Sequence, residues 1–380
     1  MYPIIGISEQ ISRPSRGPGF RPGYYASRCP PDSSGRCCEG NEASAGELVV
    51  IVDPIRIANE HWRTHGWDTG ERFAAALSIY RTDELIRLFD DVALHPLRLT
   101  RSRHEALAVL FFSRHGEIPL VTLSERLLVH PTSVTSTVDS LERLGYVNRV
   151  AHPTDRRATL ARITAKGRRE MQQSCSIISA GGCGLAALDE RQAVRLFNLL
   201  ARVRADAGDI KRVDAPGGRK ASRVEDPVLT AERNWRTHGW AVGPFFRTAL
   251  SIYRTTELIR QSNESALRPH MLTHVRHKAL AVLYFSRRGE MMMGELGKRL
   301  LVHPTSVTST VDALERLGLV ARVAHPTDRR ATLARITTKG RRAIEASNDG
   351  MTETRFGLAV LTDAQAKAVT KILSAVRLSG

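Results

Sequence analysis

The sequence predicts a mainly α-helical protein with small β-hairpins, built from two copies of one unit that pair with each other inside a single chain. Three observations predict it. The stretch LLVHPTSVTSTVDSLERLGYVNRVAHPTDRRATLARI at residues 127–163 returns at residues 300–336 with three changes, Ser140 to Ala313, Tyr146 to Leu319 and Asn148 to Ala321. The offset of 173 between the copies holds without a gap over residues 60–169, where 77 of 110 aligned positions are identical. A shared offset over that distance marks a duplicated domain, not a run of short solenoid units. Within each copy, the apolar period then switches from helical to alternating.

Residues 1–57 are rich in Gly, Pro, Ser and Arg without sustained periodicity, and read as a disordered or non-native extension. The first copy occupies residues 58–206. Its helix over 73–94 carries Leu77, Tyr80, Leu85, Leu88 and Val92, and Pro96 ends it. Thr100 or Ser102 caps the next helix. Its run from Ala106 to Phe112 is apolar nearly all round, which marks a central buried helix. A short helix over 120–128 precedes one that starts at Pro131, a residue tolerated at a first helical position. In that helix Val134, Val138, Leu141 and Leu144 recur on the buried side. Thr132, Ser136, Asp139 and Arg143, with Thr135 alongside, share the outward side. Gly145 supplies the stop.

Residues 146–150 and 158–163 alternate like two short strands, and the turn between them ends in Arg156 and Arg157. Thr164 caps a further helix, and residues 189–204 form a last amphipathic one. Residues 207–231, with Pro-Gly-Gly and mixed charges, read as a flexible linker. The second copy, 232–380, repeats the order: a helix from about residue 245, a core helix over 275–286, then 295–301, 304–318, a hairpin and two closing helices.

A helix followed by a basic-tipped hairpin is the winged helix-turn-helix arrangement, in which the helix enters the major groove and the hairpin reaches phosphate or the minor groove. Either feature alone is an ordinary solvated face. The two in order, and twice over, carry the reading. Charge agrees with it. The chain carries +17, of which residues 120–169 hold +5 and residues 293–342 hold +6, while residues 1–57 balance to zero. Such concentration is the footprint of a polyanionic partner. Nucleic acid fits better than a membrane, because no basic helix with a large apolar face accompanies the charge. No run of eighteen apolar residues exists and MYPIIGISEQ makes a poor signal peptide, so a cytoplasmic, nucleoid-associated protein is expected.

Five cysteines, an odd number, argue against a disulfide framework, and redox sensing by Cys29, Cys37 and Cys38 is a weaker alternative. His61, His65 and His104 lack metal-ligand spacing, and Asn234 replaces the first of them in copy two; no metal is expected. Phosphate-loop, dinucleotide, zinc-protease and serine-elbow motifs are absent, so neither an enzyme nor a cofactor is expected. Trp62, His65 and Trp67, with Trp235, His238 and Trp240, either line a ligand pocket or anchor a terminal helix.

The VHPTSVT and VDxLExxGxVxR runs, the HPTDRRATLxxIT hairpin and the FFSRHGE and YFSRRGE segments resemble the MarR family of bacterial regulators. The resemblance covers roughly residues 59–206 and 232–379, and the Asp-Arg-Arg of the wing is its most specific part. It implies winged-helix dimers, commonly repressors released by small aromatic or phenolic ligands, with a double-stranded DNA operator as partner. Residue by residue, it implies groove-facing roles for Thr132, Ser133, Thr135 and Ser136 with Arg143, and for Thr305, Ser306, Thr308 and Ser309 with Arg316. Arg156, Arg157, Arg329 and Arg330 match wing arginines, while Asp155 and Asp328 match the acid that steadies the wing.

One departure is plain: the family builds its dimer from two chains, and here both halves lie in one. The expectation is therefore an intrachain pseudo-dimer reading an inverted repeat. The linker reaches far enough at up to ~3.4 Å per residue, and the diverged final helices form the seam. A homodimer of tandem chains, and a protein-interaction module that no longer binds DNA, are the rival readings.

Overall fold

The structure is a computed structural model that describes residues 53–152, 159–213, 223–240, 243–300, 302, 304–326 and 332–378. Asp53 caps α1 (Pro54–Thr64) by accepting the Ile55 amide at 3.0 Å, with proline pre-set at the first position. The helix thus begins inside the stretch read as an extension. The long α2 (Arg72–Leu94) buries Phe73, Leu77, Ile79, Tyr80 and Ile86, and a 3-10 turn containing Pro96 ends it as expected. Thr100 rather than Ser102 caps α3 (Arg101–Phe111), whose Leu107 and Leu110 are fully buried.

Three elements follow, the last of them the outward helix. These are β1 (Glu117–Pro119), α4 (Leu120–Leu127) and α5 (Pro131–Arg143). Gly145, at φ +74°, turns the chain into β2 (Val147–Ala151), which pairs with β3 (Thr159–Ile163). The sheet order is β1-β3-β2, antiparallel throughout, with Ile118 opposite Ala161 and Val147 opposite Ile163. β1 is a third strand that the sequence reading lacked. Thr164 caps α6 (Ala165–Ala180), and Asp189 with Gln192 forms a reciprocal capping box at the start of α7 (Glu190–Asp206).

The linker differs from expectation. β4 (Lys211–Val213) pairs antiparallel with β5 (Arg223–Glu225), so its two ends form a hairpin stem and not a free hinge; residues 214–222 lie outside the described residues. Copy two begins directly after that stem with α8 (Pro227–Thr237), capped by Asp226. It continues with α9 (Pro244–Leu267), α10 (His274–Tyr284), β6 (Glu290–Met292), α11 (Met293–Leu300), α12 (Pro304–Arg316), β7 (Val320–Ala324), β8 (Thr332–Ile336), α13 (Thr338–Glu353) and α14 (Asp363–Leu378).

The two copies pack on each other across a pseudo-two-fold seam. α7 lies along α9, α14 lies along α2, and α2 touches α9. The diverged final helices are thus in the seam, each against the other half's long helix. Arg204, fully buried at the end of α7, grips both carboxylate oxygens of Asp226 at 2.7 and 3.0 Å and donates to Ser251 Oγ at 2.9 Å. Its counterpart Arg377 on α14 reaches Asp53 at 2.7 Å. Each terminal helix therefore holds the N-cap of the other half's first helix. Losing one partner would strand a buried charge, so these pairs fix register. Among the described residues no helix is long and apolar enough to cross a membrane.

Candidate nucleic-acid interface

Local chemistry decides which face α5 presents. His130 caps it, Pro131 opens it, and Val134, Val138 and Leu141 are buried against α3 and α4. Thr132, Ser133, Thr135, Ser136 and Arg143 are left exposed. In α12 the exposed set is Thr305, Ser306, Thr308, Ser309 and Arg316, the same residues in the same places. The hydroxyls satisfy themselves meanwhile. Thr135 Oγ1 donates to Pro131 O at 3.1 Å, and Thr132 Oγ1 lies 2.9 Å from His130 Nδ1. Their oxygens keep accepting capacity for a partner. Arg143 donates to Ser140 Oγ at 3.1 Å; Arg316 has Ala313 there and donates from Nε to Asp312 O at 3.4 Å.

Sequence reasoning missed what aims this helix. From β2, Arg149 pairs with Asp139 at 2.5 Å and Glu142 at 2.8 Å, and its guanidinium also donates to Thr135 O at 3.3 Å. In copy two Arg322 pairs with Asp312 and Glu315, each at 2.5 Å. The hairpin and the helix are thereby clamped together. Asp139, read as an outward-facing group, is engaged in that clamp. The available signal was two acids three apart on a helix, with an arginine seven residues past the second, in both copies. A second tie joins β3 to β1, Arg162 to Glu117 and, at 2.6 Å, Arg335 to Glu290.

The wing residues Asp155, Arg156, Arg157, Asp328, Arg329 and Arg330 lie outside the described residues. The β2–β3 and β7–β8 hairpins that carry them are paired up to Ala151 opposite Thr159 and Ala324 opposite Thr332.

The tryptophan clusters straddle the seam. Trp62 is fully buried, stacked on Phe73 at 4.2 Å and 5.5 Å from Phe356 of the other half. Trp67 donates its indole N–H to Asp349 of the other half at 2.7 Å. Trp235 packs on Phe246 at 4.4 Å, and Trp240 lies against Phe111 and Phe112 of the first half. His65 and His238 are exposed and stack on Trp67 and Trp240. These rings clasp the halves.

A cavity of about 810 Å³ lies elsewhere, and none of those six residues lines it. It opens between α4–α5 of the first half and α9–α10 of the second. Arg101 stands in its wall among Asp83 at 3.1 Å, Asp90 at 3.7 Å and Glu105 at 2.9 Å, with the Tyr253 ring 4.8 Å from its guanidinium. Burial pushes the Asp90 carboxyl up to about 7, against the pull of Arg101. Burial, and then Arg101, push His104 down to about 4. Cys175 and Cys183 are free and buried, and burial raises both thiols, Cys183 to about 12, so neither is an activated thiolate. Among the described residues no group of three or more His, Cys, Asp or Glu stands ready for a metal ion.

Each half matches a family model described as MarR family, over residues 99–159 and 272–331. Each span runs from the start of α3 or α10 through the outward helix. The HTH-type transcriptional regulator MhqR of Bacillus subtilis (strain 168) is 32% identical over 111 residues, which is 29% of this chain and 75% of that protein. The chain belongs to the MarR family. A second relative, the uncharacterized HTH-type transcriptional regulator YkoM of the same organism, is 31% identical over 96 residues, 24% of this chain and 61% of its own length. Among solved structures, the MarR family regulator Sco5413 of Streptomyces coelicolor is 38% identical over 34% of this chain and 90% of its own, with a TM-score of 0.32. Sco3205 of the same organism, solved in complex with DNA, is 24% identical over 37% and 93%, with a TM-score of 0.34. Two MarR units in tandem, each with its own helix-turn-helix, account for the repeat.

Proposed function

We propose that this MarR-family chain is a sequence-specific regulator of transcription that binds double-stranded DNA, supplies both reading heads of an inverted-repeat operator from one polypeptide, and acts as a repressor released by a small aromatic effector. One observation carries the reading: α5 and α12 expose the same hydroxyl-lined face, and the bodies behind them are locked together through Arg204–Asp226 and Arg377–Asp53. Short hydroxyl side chains at a helix N-terminus let backbone and side chain approach phosphate and base edges closely. Identical readers call for near-identical half-sites, and a pseudo-two-fold arrangement calls for their inversion, about one DNA turn apart. Arg143 and Arg316, with the wing arginines Arg156, Arg157, Arg329 and Arg330, supply cationic contacts to phosphate. The relative MhqR supports this, being an HTH-type transcriptional regulator.

For the effector we favour the cleft over the tryptophan clusters, because those rings already pack on one another. Residues Leu127 to Pro131 line the cleft, so an occupant there would shift the start of α5 relative to α9. The test is fluorescence anisotropy on the DNA upstream of the gene. Arg156→Ala combined with Arg329→Ala should weaken binding and reduce the salt slope by about 2, near one per lost phosphate contact. An unchanged slope removes the wing from the interface. Affinity no greater than for random DNA favours the protein-interaction reading instead.

A further inference from the structure

The end helices α7 and α14 differ most sharply on the side that faces away from the seam. Arg191, Arg195 and Arg202 stand exposed along α7, and at 100° per residue all three fall on one narrow stripe. The aligned positions in α14 are Ala364, Ala368 and Ala375. On that stripe α14 keeps a single cation, Lys371, where α7 has Asn198. The two halves therefore present unlike outer faces, although their reading helices match.

The stripe borders a shallow groove of about 650 Å³, floored by the half-buried Val194 and Leu199 and reached by Gln365 of α14. Glu190 is the one acid in its lining. Among the described residues none of the three arginines makes a hydrogen bond or an ion pair. Their placement opposes the helix that carries them. Arg191 sits in the first turn, where the peptide dipoles repel a cation, and Arg195 lies one turn further on with its like charge beside it. A face that met only water would be better served by acids there. Three uncompensated arginines beside an apolar floor suit the acidic side of an amphipathic helix, whose apolar edge would cover Val194 and Leu199. A phosphate backbone fits less well, because it offers nothing to that floor. A second copy of this chain fits least, because each side would bring three arginines and one glutamate.

We propose that this groove docks an acidic amphipathic helix of a partner protein, one per chain, at the α7 end of the seam. From Arg191 to Arg202 the stripe runs about 16 Å, which matches three turns of the partner. α7 packs chiefly on α9 and α14 and not on α5, α12 or either hairpin, so the groove stays open while the reading heads are occupied. A dimer of identical chains would show such a face twice; this chain shows it once.

The experiment adds the full chain to a fluorescein-labelled peptide of Glu, Leu and Ala, with Leu at helical spacing, and follows anisotropy. Saturation at one peptide per chain is expected, weakening as salt rises. Arg191→Ala, Arg195→Ala and Arg202→Ala together, which copy the residues of α14, should weaken binding about tenfold or more. Alanine is the strongest helix former, so this variant should melt no lower than the parent. Val194→Lys, which copies Lys367, should also weaken the peptide although it adds a cation. Tighter binding in that variant would overturn the apolar floor, and equal binding of a peptide with Gln for Glu would overturn the charge argument. No binding, two peptides per chain, or affinity unchanged in the triple variant would overturn the site. A non-operator duplex that loses affinity in the triple variant would assign the groove to nucleic acid instead. Operator affinity of the triple variant should equal the parent's. A parent that binds no operator sinks the regulator reading and leaves the groove to be judged by the peptide alone.

Discussion

Arg149 and Arg322 show how a residue can hold a site without being legible as part of it. Their partners, Asp139 with Glu142 and Asp312 with Glu315, sit on a helix surface where acids usually meet only water, and only the repeated spacing of two acids and a later arginine marks them as partners. Truncating Arg149 to alanine should cost less than about 1 kcal/mol of stability, since the pair is partly exposed, yet lower operator affinity more than that by freeing the hairpin. Equal melting with weaker anisotropy is the expected pattern; unchanged DNA binding would reduce the clamp to a surface ion pair. The hydroxyl faces, in contrast, followed directly from 100° spacing and emerged exposed as read. A second residue-scale prediction concerns pH. Asp90 has its folded pKa raised by burial to about 7, so its contribution is fully present below the unfolded value near 4 and is lost as pH rises through 7. Asp90→Asn, which installs the residue copy two carries at 263, should stabilise the chain by roughly 2 kcal/mol at pH 8 and hardly at all near pH 4. Equal melting shifts at both values would contradict the ionisation argument.

At the scale of elements, the sequence marked helices well because each carried its own stop and start. Thr164 caps where its sequence position says it should and Thr337 where its aligned partner does, while Asp189, read as the first residue of the last helix, is its N-cap. Asp189→Ala should cost about 1 kcal/mol, read as a lower denaturant midpoint with an unchanged slope. β1 escaped notice because three residues are too few to alternate, and its pairing to β3 spans more than forty residues of chain. The linker stem failed for a related reason. Its strands are three residues each, and Asp209 beside it is anchored by Arg204 and by Arg254 of the second half, a contact no local pattern records. Composition reported flexibility where long-range partners impose order.

At the scale of the whole molecule, the duplication was legible because one offset runs through the chain, and the seam was legible because the final helices had diverged while the reading helices had not. What composition and spacing could not show is how the seam is built. Buried arginines reach across to caps of the opposite half, and tryptophans of each half close on aromatic residues of the other. Arg204→Ala would leave Asp226 buried and unpaired, and should cost about 3–5 kcal/mol, with both halves unfolding in one lowered transition. The claim on which the rest depends is that these contacts join the two halves of one chain. Sedimentation equilibrium of the free protein over a wide concentration range tests it most directly. The account predicts the single-chain mass of 42.1 kDa throughout; a species of twice that mass persisting at the lowest concentration would mean that each half clasps a neighbouring chain instead.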